Sequence, residues 1–412
     1  MYIFLNLNLA FFQWSNCLLS FCKKMFEEKI SKRWTILTFI LLIVGPSIVA
    51  QENPSPRKKN SFWSYFGIKP LGDTTSVQKD GLYFAPLVFY SPDTRWAFGA
   101  AGAYVFHIND KKNSLSPSRA SNYRFAVNYT QNQQSDFWSE WSVFTKAERY
   151  YLKGEFRVRS FPDVFYGLGN TTKVNDKEEY AYNLISFKVL GLKQLYRYFF
   201  LGFDYHLTRQ YDFAYPKGQI NTLNLIGNTG GTGSALGLAS IYDDRDNVMN
   251  PYKGTYAEVS SYLYRTELGG TYNFDVINAE FRKYIMIKPK HIIAFQSKAR
   301  IATGDVPLID MSMIGGDDLL RSYARNRFRD KNMFGAQVEY RFPVIWRFGM
   351  TTFAGVGDVF NRTTDLNLNY LKYCLGGGLR FLMNSSERLN VRIDYGYGPD
   401  GGQYYVSFAE AF

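Results

Sequence analysis

From Gly81 to Phe412 apolar and polar residues alternate in segments separated by turn formers. Phe334, Ala336, Val338, Tyr340 and Phe342 alternate with Gly335, Gln337, Glu339 and Arg341. Leu389, Val391, Ile393 and Tyr395 alternate with Arg388, Asn390, Arg392 and Asp394, and Ile293, Phe295, Ala299 and Ile301 interleave with Gln296, Lys298 and Arg300. A period of two gives each strand one face toward an apolar medium and one toward a polar medium. A soluble sandwich also alternates. Here, however, the segments run to about ten to fifteen residues, longer than the five or six usual in soluble strands. Their aromatics gather toward segment ends, as interfacial girdles do.

Strands are predicted to begin near Gly81, Arg95, Asn122, Asp136, Tyr150, Tyr180, Arg197, Gly233, Gly254, Tyr272, His291, Asn332, Arg347, Leu371, Arg388 and Gln403. That set is even, as a closed bacterial membrane barrel requires, and closure satisfies every backbone group in lipid. If the first strand runs outward, several inward-side connections are short: Lys146-Ala147-Glu148, Ile287-Lys288-Pro289-Lys290, Phe342-Pro343-Val344-Ile345 and Asn384-Ser385-Ser386. Outward connections are long at Ser160 to Glu179, Gln210 to Thr232 and Gly304 to Lys331, the asymmetry expected of outer-membrane barrels. The connection from Asn109 to Ser118 is longer than that rule predicts. The fold class is therefore all-β, a transmembrane antiparallel barrel of about 16 strands.

Ahead of the barrel, Lys29, Lys32 and Arg33 precede the apolar run Trp34 to Val44, followed by Gly45, Pro46, Ser47 and Ala50. This is the order of a secretory signal. Residues 1–50 are read as a signal peptide, cleaved to leave Gln51, with Met25 as an alternative start. A membrane anchor would need an apolar run of roughly 20 residues. Residues 51–80 are polar apart from Phe62 to Phe66 and read as a periplasmic linker. Thirty residues do not hold a domain.

Composition sharpens this picture. Tyr (32), Phe (35) and Gly (34) are all abundant, as in half-buried pleated surfaces joined by turns. The net charge of +12 is spread singly through strands and loops. A nucleic-acid binder would concentrate it in one patch, so the basic side chains are read as lumenal or rim residues. Cys17 and Cys22 fall in the leader. Cys374 then stands alone and reads as a packing residue. Asp243, Asp244, Asp246 and Asn247 make an oxygen-rich turn without the ligand spacing of a calcium loop, so turn structure is the expectation. His107, His206 and His291 have no zinc spacing. No Gly-x-Ser-x-Gly elbow is present. Gly99 to Gly102 and Gly376 to Gly378 do not sit at strand-to-helix turns, so they are not read as phosphate loops. No enzyme site and no cofactor are expected.

An ordered set of motifs resembles the bacterial surface antigen family, the barrels of the BamA and TamA outer-membrane assembly factors and their relatives. The motifs are Phe161-Pro162-Asp163 with Phe165 to Asn170; Tyr242 to Asn247 with Pro251 and Lys253-Gly254; Gly315-Gly316 with Leu320 to Tyr323; Val338 to Pro343; Phe353 to Val359; and Gly376 to Phe381, with a terminal Phe412. In the second, Asp244, Arg245, Asp246, Asn247 and Gly254 are similar to the family's periplasmic turn. The resemblance implies that the loop holding Arg321 and Tyr323 folds back into the lumen, where Arg321 pairs with Glu339. Parity supports Glu339 facing the lumen, and a guanidinium there wants a carboxylate.

Three departures from the family pattern carry expectations. Ser322 replaces a glycine where the backbone favours glycine's freedom. Gly355 stands where a second acid is usual, and Asp358 has the wrong parity, so the loop is expected to rest on one acid. The family's periplasmic POTRA domains have no room before Gly81, which implies a POTRA-less member.

Pro86, inside the first strand, removes a ladder donor. It marks either a bend or a weakened seam with the last strand, which would suit a lateral gate. Tyr404, Val406, Phe408, Glu410 and Phe412 share one parity, and Phe408 and Phe412 resemble the signal by which outer-membrane proteins are recognised for insertion, read by strand addition. The resemblance implies a protein of the Gram-negative outer membrane that aids protein insertion or translocation. Its partners would be outer-membrane lipids, unfolded protein clients and, during its own insertion, the barrel-assembly machinery, with no nucleic acid. A passive pore or structural barrel is the alternative.

Overall fold

A computed structural model of the chain describes residues 81–91, 95–106, 108, 121–216, 224–384 and 388–412. The expected signal peptide, the linker, the 109–118 connection and Ser385-Ser386 lie outside the described residues. The strands are β1 (Gly81–Ser91), β2 (Arg95–Phe106), β3 (Ser121–Thr130), β4 (Ser135–Phe144), β5 (Tyr150–Phe165) and β6 (Glu178–Tyr196). Next come β7 (Phe199–Ala214), β8 (Gly231–Asp243), β9 (Gly254–Tyr264), β10 (Phe274–Lys288), β11 (His291–Gly304), β12 (Ser312–Ile314) and β13 (Phe328–Asp330). The last are β14 (Asn332–Ile345), β15 (Phe348–Phe360), β16 (Lys372–Asn384), β17 (Leu389–Gly398) and β18 (Gly401–Phe408).

Sixteen of these form one antiparallel sheet in chain order, β11 pairing directly with β14. The pair β12–β13 is a separate hairpin inside the β11–β14 connection. Each predicted strand start falls within two residues of an observed one. The two end strands β1 and β18 lie beside each other. Among the described residues the ladder runs from β1 to β18 without joining them.

Each barrel strand has two chemistries. Phe295, Phe334, Val338, Leu375, Leu379, Ile393 and Tyr395 are exposed to the outside. Inward, charges pair across neighbouring strands, Lys188 with Glu155 at 3.2 Å, Arg124 with Glu140 at 3.0 Å and Arg157 with Asp136, and along one strand, Arg282 with Glu280 at 2.6 Å. Trp346, Phe348 and Phe381 cluster at the short-turn end, with ring centroids 5.2–6.2 Å apart, as an interfacial girdle. Short turns such as 197–198, 289–290 and 346–347 occupy one end, and the long connections 166–177, 215–230 and 305–331 the other.

Three local expectations are corrected. The turn placed at Phe342 to Ile345 lies at Trp346-Arg347, because the ladder passes through Pro343 (opposite Gly349) and resumes at Ile345 after a register shift. A bulge accommodates the missing proline donor. The loop placed from Ser160 shrinks to 166–177, because Pro162 is held in the ladder opposite Ala181. The alternation drawn to Phe412 stops at Phe408, the last ladder residue, opposite Val391. Ala409 then adopts φ 61°, its N–H donates to the Asn390 carbonyl at 2.8 Å, and the segment 409–412 turns inward.

Candidate functional site: the lumenal loop and its anchor

The β11–β14 connection enters the lumen through two left-handed glycines, Gly315 (φ 108°) and Gly316 (φ 124°). A Cβ on Gly315 would stand 2.2 Å from the Ala324 carbonyl, so only glycine lets the two arms of the tip pass. Ile314, Leu319, Leu320, Tyr323 and Phe328 bury their side chains against Phe353, Val359 and Cys374 of β15 and β16. The wall is thinned to receive them. Cβ atoms at Gly335 and Gly355 would stand 2.6 and 3.2 Å from Leu319 and Leu320. On β17, a Cβ at Gly396 would lie 2.6 Å from the Arg321 carbonyl.

Arg321 is fully buried at the tip. Its Nη2 donates to Glu339 Oε2 at 2.6 Å and its Nη1 to Asp394 Oδ2 at 2.8 Å, and all three side chains are 0% exposed. The guanidinium carbon lies 3.5 Å from the centroid of Phe353, a desolvated cation–π contact. The expectation of a single acid is thus corrected: Asp394 of β17 is the second, and Leu320 lies over Gly355, where an acid was sought.

The ion pairs continue along the wall. Glu339 Oε1 accepts from Arg341 Nε at 2.8 Å. Asp394 accepts from Arg380 at 2.5 Å and from Arg392 at 2.7 Å, and Arg392 reaches Asp317 at 2.9 Å. Alternating charges at this spacing offset the desolvation that would make any one of them costly alone.

Tyr323 is buried at 5.3 Å, edge-on, from Phe328, and its carbonyl accepts from the Tyr405 hydroxyl of β18 at 2.8 Å. Ser322 keeps an ordinary backbone conformation. The left-handed backbone falls two residues earlier, at Leu320 (φ 55°), so the expectation of a strained Ser322 is corrected.

Toward the outside the same loop grips the opposite wall. Asn326 donates to Asp163 at 2.9 Å, Arg329 donates to the Tyr180 hydroxyl at 2.9 Å, and Arg327 spans Asp400 (2.5 Å) and Thr172 (2.7 and 2.9 Å). Gly169 N–H donates to the Arg329 carbonyl at 2.8 Å, and Asn170 donates to Asp358 at 2.9 Å. Motifs separated by up to 188 residues therefore form one contact set. Sequence reasoning missed Asn326, Arg327 and Arg329. The two-residue spacing of Arg325, Arg327 and Arg329 was the available signal, since it is strand periodicity inside a presumed loop.

The turn 244–253 closes on itself. Asp243 takes Arg245 in a two-point contact at 2.8 and 3.0 Å. Asp244 accepts from Thr255 N–H at 2.5 Å, and Asn247 accepts from the Met249 and Asn250 amides at 2.8 Å. Asp246 accepts from the Tyr252 and Lys253 amides and, at 2.7 Å, from Arg388 across the mouth. Burial disfavours the Asp246 carboxylate, but Arg388 and the two amides outweigh it and hold its pKa below the usual range. Gly254 (φ 116°) lies against Arg245, where a Cβ would come within 2.6 Å of Arg245 Cα.

Pro86 sits on the exposed face of β1 with Leu82, Phe84 and Val88, opposite Ala100 of β2. Phe412 is buried in the lumen, four residues beyond the last ladder position.

Residues 84–408 match the model of the Omp85 superfamily domain. The chain belongs to the Omp85 superfamily and is a β-barrel of the Gram-negative outer membrane. Among solved structures it is similar to BamA from Haemophilus ducreyi lacking POTRA domains 1–3, with 12% identity, 80% of this chain and 70% of that chain covered, and a TM-score of 0.53. It is similar to CdiB from Escherichia coli, with 10% identity, 82% and 64% covered and a TM-score of 0.54. It is likewise similar to CdiB from Acinetobacter baumannii, with 12% identity, 80% and 59% covered and a TM-score of 0.50. The chain thus spans less than two thirds of either CdiB chain. At these identities the likeness is one of fold. A search of curated proteins gives no match. At the level of the family, the role is protein insertion or translocation at the outer membrane.

Proposed function

We propose that this barrel inserts or translocates unfolded proteins at the outer membrane, without enzymatic chemistry, and that Arg321, Glu339 and Asp394 lock the lumenal loop in its working position. The observation that carries this reading is the fully buried pairing of Arg321 with two carboxylates from β14 and β17. A loop pinned across the lumen narrows any conducting path, and a barrel that remodels its wall gains from it a rigid reference inside. Its partners are outer-membrane lipids, unfolded clients and the assembly machinery that inserts it. The β1–β18 edge, with Pro86 on β1, is the place where a client strand would enter.

The test is client folding in liposomes. Wild-type protein should accelerate folding of an unfolded outer-membrane barrel, and Arg321→Ala should remove most of that acceleration. Steady ion conductance from wild type with no acceleration would overturn the proposal in favour of a pore.

A further inference from the structure

After β18 the chain leaves the ladder, and its next four residues lie on the inner wall. Glu410 Oε2 accepts from Arg380 Nε at 2.8 Å and lies 3.7 Å from Arg341 Nε, and its Oε1 accepts from Asn390 Nδ2 at 2.6 Å. The Phe412 carbonyl accepts from Arg341 Nη2 at 3.0 Å. The Phe412 ring lies 5.3 Å from the Arg341 guanidinium and packs with Tyr284, Ile292 and Ala294, with Tyr252 beside them.

These are the contacts of a bound peptide: two guanidiniums for a carboxylate, a donor for a backbone carbonyl, and an apolar cradle for an aromatic ring two residues on. We infer that this wall is a peptide-binding site, that Glu410-Ala411-Phe412 is its resident ligand, and that an unfolded segment carrying a carboxylate two positions before an aromatic exchanges with it.

Two further observations point to a ligand that can leave. Arg341 Nη1 is buried without a hydrogen bond, and so is Arg380 Nη2, which stands 3.6 Å from Glu339 Oε1; the resident segment uses less than the donors available. Charge selects the replacement. With Glu410 withdrawn, Arg321, Arg341, Arg380 and Arg392 face Glu339, Asp394 and the half-exposed Asp317. A buried excess of positive charge is costly, so the vacated site takes an acidic segment and rejects a basic one.

The site lies at the short-turn end, on the periplasmic side in the functional reading above, on which the identity of its ligand as a client segment rests. The turn holding Tyr252 borders it and is tied by Asp246 to Arg388.

The experiment uses the full chain in detergent and a fluorescent hexapeptide of the sequence Ser407 to Phe412. Glu410→Ala with Phe412→Ala vacates the site. That variant should bind the peptide about tenfold more tightly than wild type, because the resident segment no longer reduces the competent fraction. A peptide with lysine in place of the glutamate should bind at least tenfold more weakly, as should the vacated variant carrying Arg380→Gln. Equal binding of the two peptides by a vacated variant that keeps heat-modifiable migration would overturn the proposal. Should that variant not fold, Phe412→Cys is labelled with a maleimide instead. Excess acidic peptide should raise the labelling rate severalfold, and an unchanged rate overturns the proposal. Peptide binding together with failed client folding in liposomes counts against the functional reading and leaves the site standing.

Discussion

Val338 and Glu339 are neighbours on β14 and face different worlds. Val338 is 43% exposed on the outer face, while Glu339 is 0% exposed and holds Arg321 and Arg341. The outer face answers to a solvent, so any apolar side chain of similar shape serves. The inner face answers to named partners, so charge and geometry are both specified. Tolerance to substitution should therefore alternate along the strand with the side chains.

The largest break comes from Arg321→Ala, which removes the cation that two buried carboxylates share and leaves them only Arg341, Arg380 and Arg392. It should cost about 3–5 kcal/mol, read as a lower urea midpoint and faster proteolysis within 315–327. Arg321→Lys should recover part of that loss, since it keeps the charge and gives up the two-point geometry. Next, Val338→Arg on the lipid face should cost about 2–4 kcal/mol in vesicle unfolding, depending on depth. Comparable costs for Val338→Arg and Val338→Leu would sink the lipid-facing assignment.

Gly396→Val should unseat the tip by crowding the Arg321 carbonyl, at about 1–3 kcal/mol, with proteolysis of the loop rising before the barrel melts. Asn170→Ala removes one bond to Asp358 and should cost about 1 kcal/mol, seen as exposure of the 166–177 connection. Smallest of all, Val338→Leu should stay within about 0.5 kcal/mol of wild type.

Acid tests the turn separately. The folded pKa of Asp246 is depressed, so its contribution is complete above the unfolded value of about 3.9 and is lost as pH falls through the lower folded value. Asp246→Asn should flatten that acidic limb of the stability curve and leave the neutral region little changed.

A cysteine pair joining Leu87 to a facing position of β18 tests the seam. Full client folding by the cross-linked barrel would remove the lateral-gate role from that edge.

The barrel strands were legible because their signal is local. Alternation at Phe334 to Phe342 needs only adjacent residues, and the lipid outside makes one face uniformly apolar. The Arg321–Glu339 pair was legible only by resemblance supported by parity. Its second acid, Asp394, was visible as an inward charge but not as a partner, since nothing in a sequence says which strands a loop will cross. Ser322 misled for a similar reason: the strain sits two residues earlier, at Leu320.

Phe412 shows the limit most plainly. Its parity matched Tyr404 and Val406, so the pattern alone continued the strand. The fold ended it at Phe408, because Arg341 and Arg380 offer Glu410 and the Phe412 carbonyl stronger partners inside than a strand edge would. By itself the sequence determined the strands and their faces, which follow from a period of two, and the short and long ends and the membrane as solvent, which follow from connection lengths, strand lengths and the aromatics at strand ends. Only the tertiary structure decided which lumenal charges meet, where the loop is pinned and that the last residues turn inward, because those depend on distances between segments far apart in the chain.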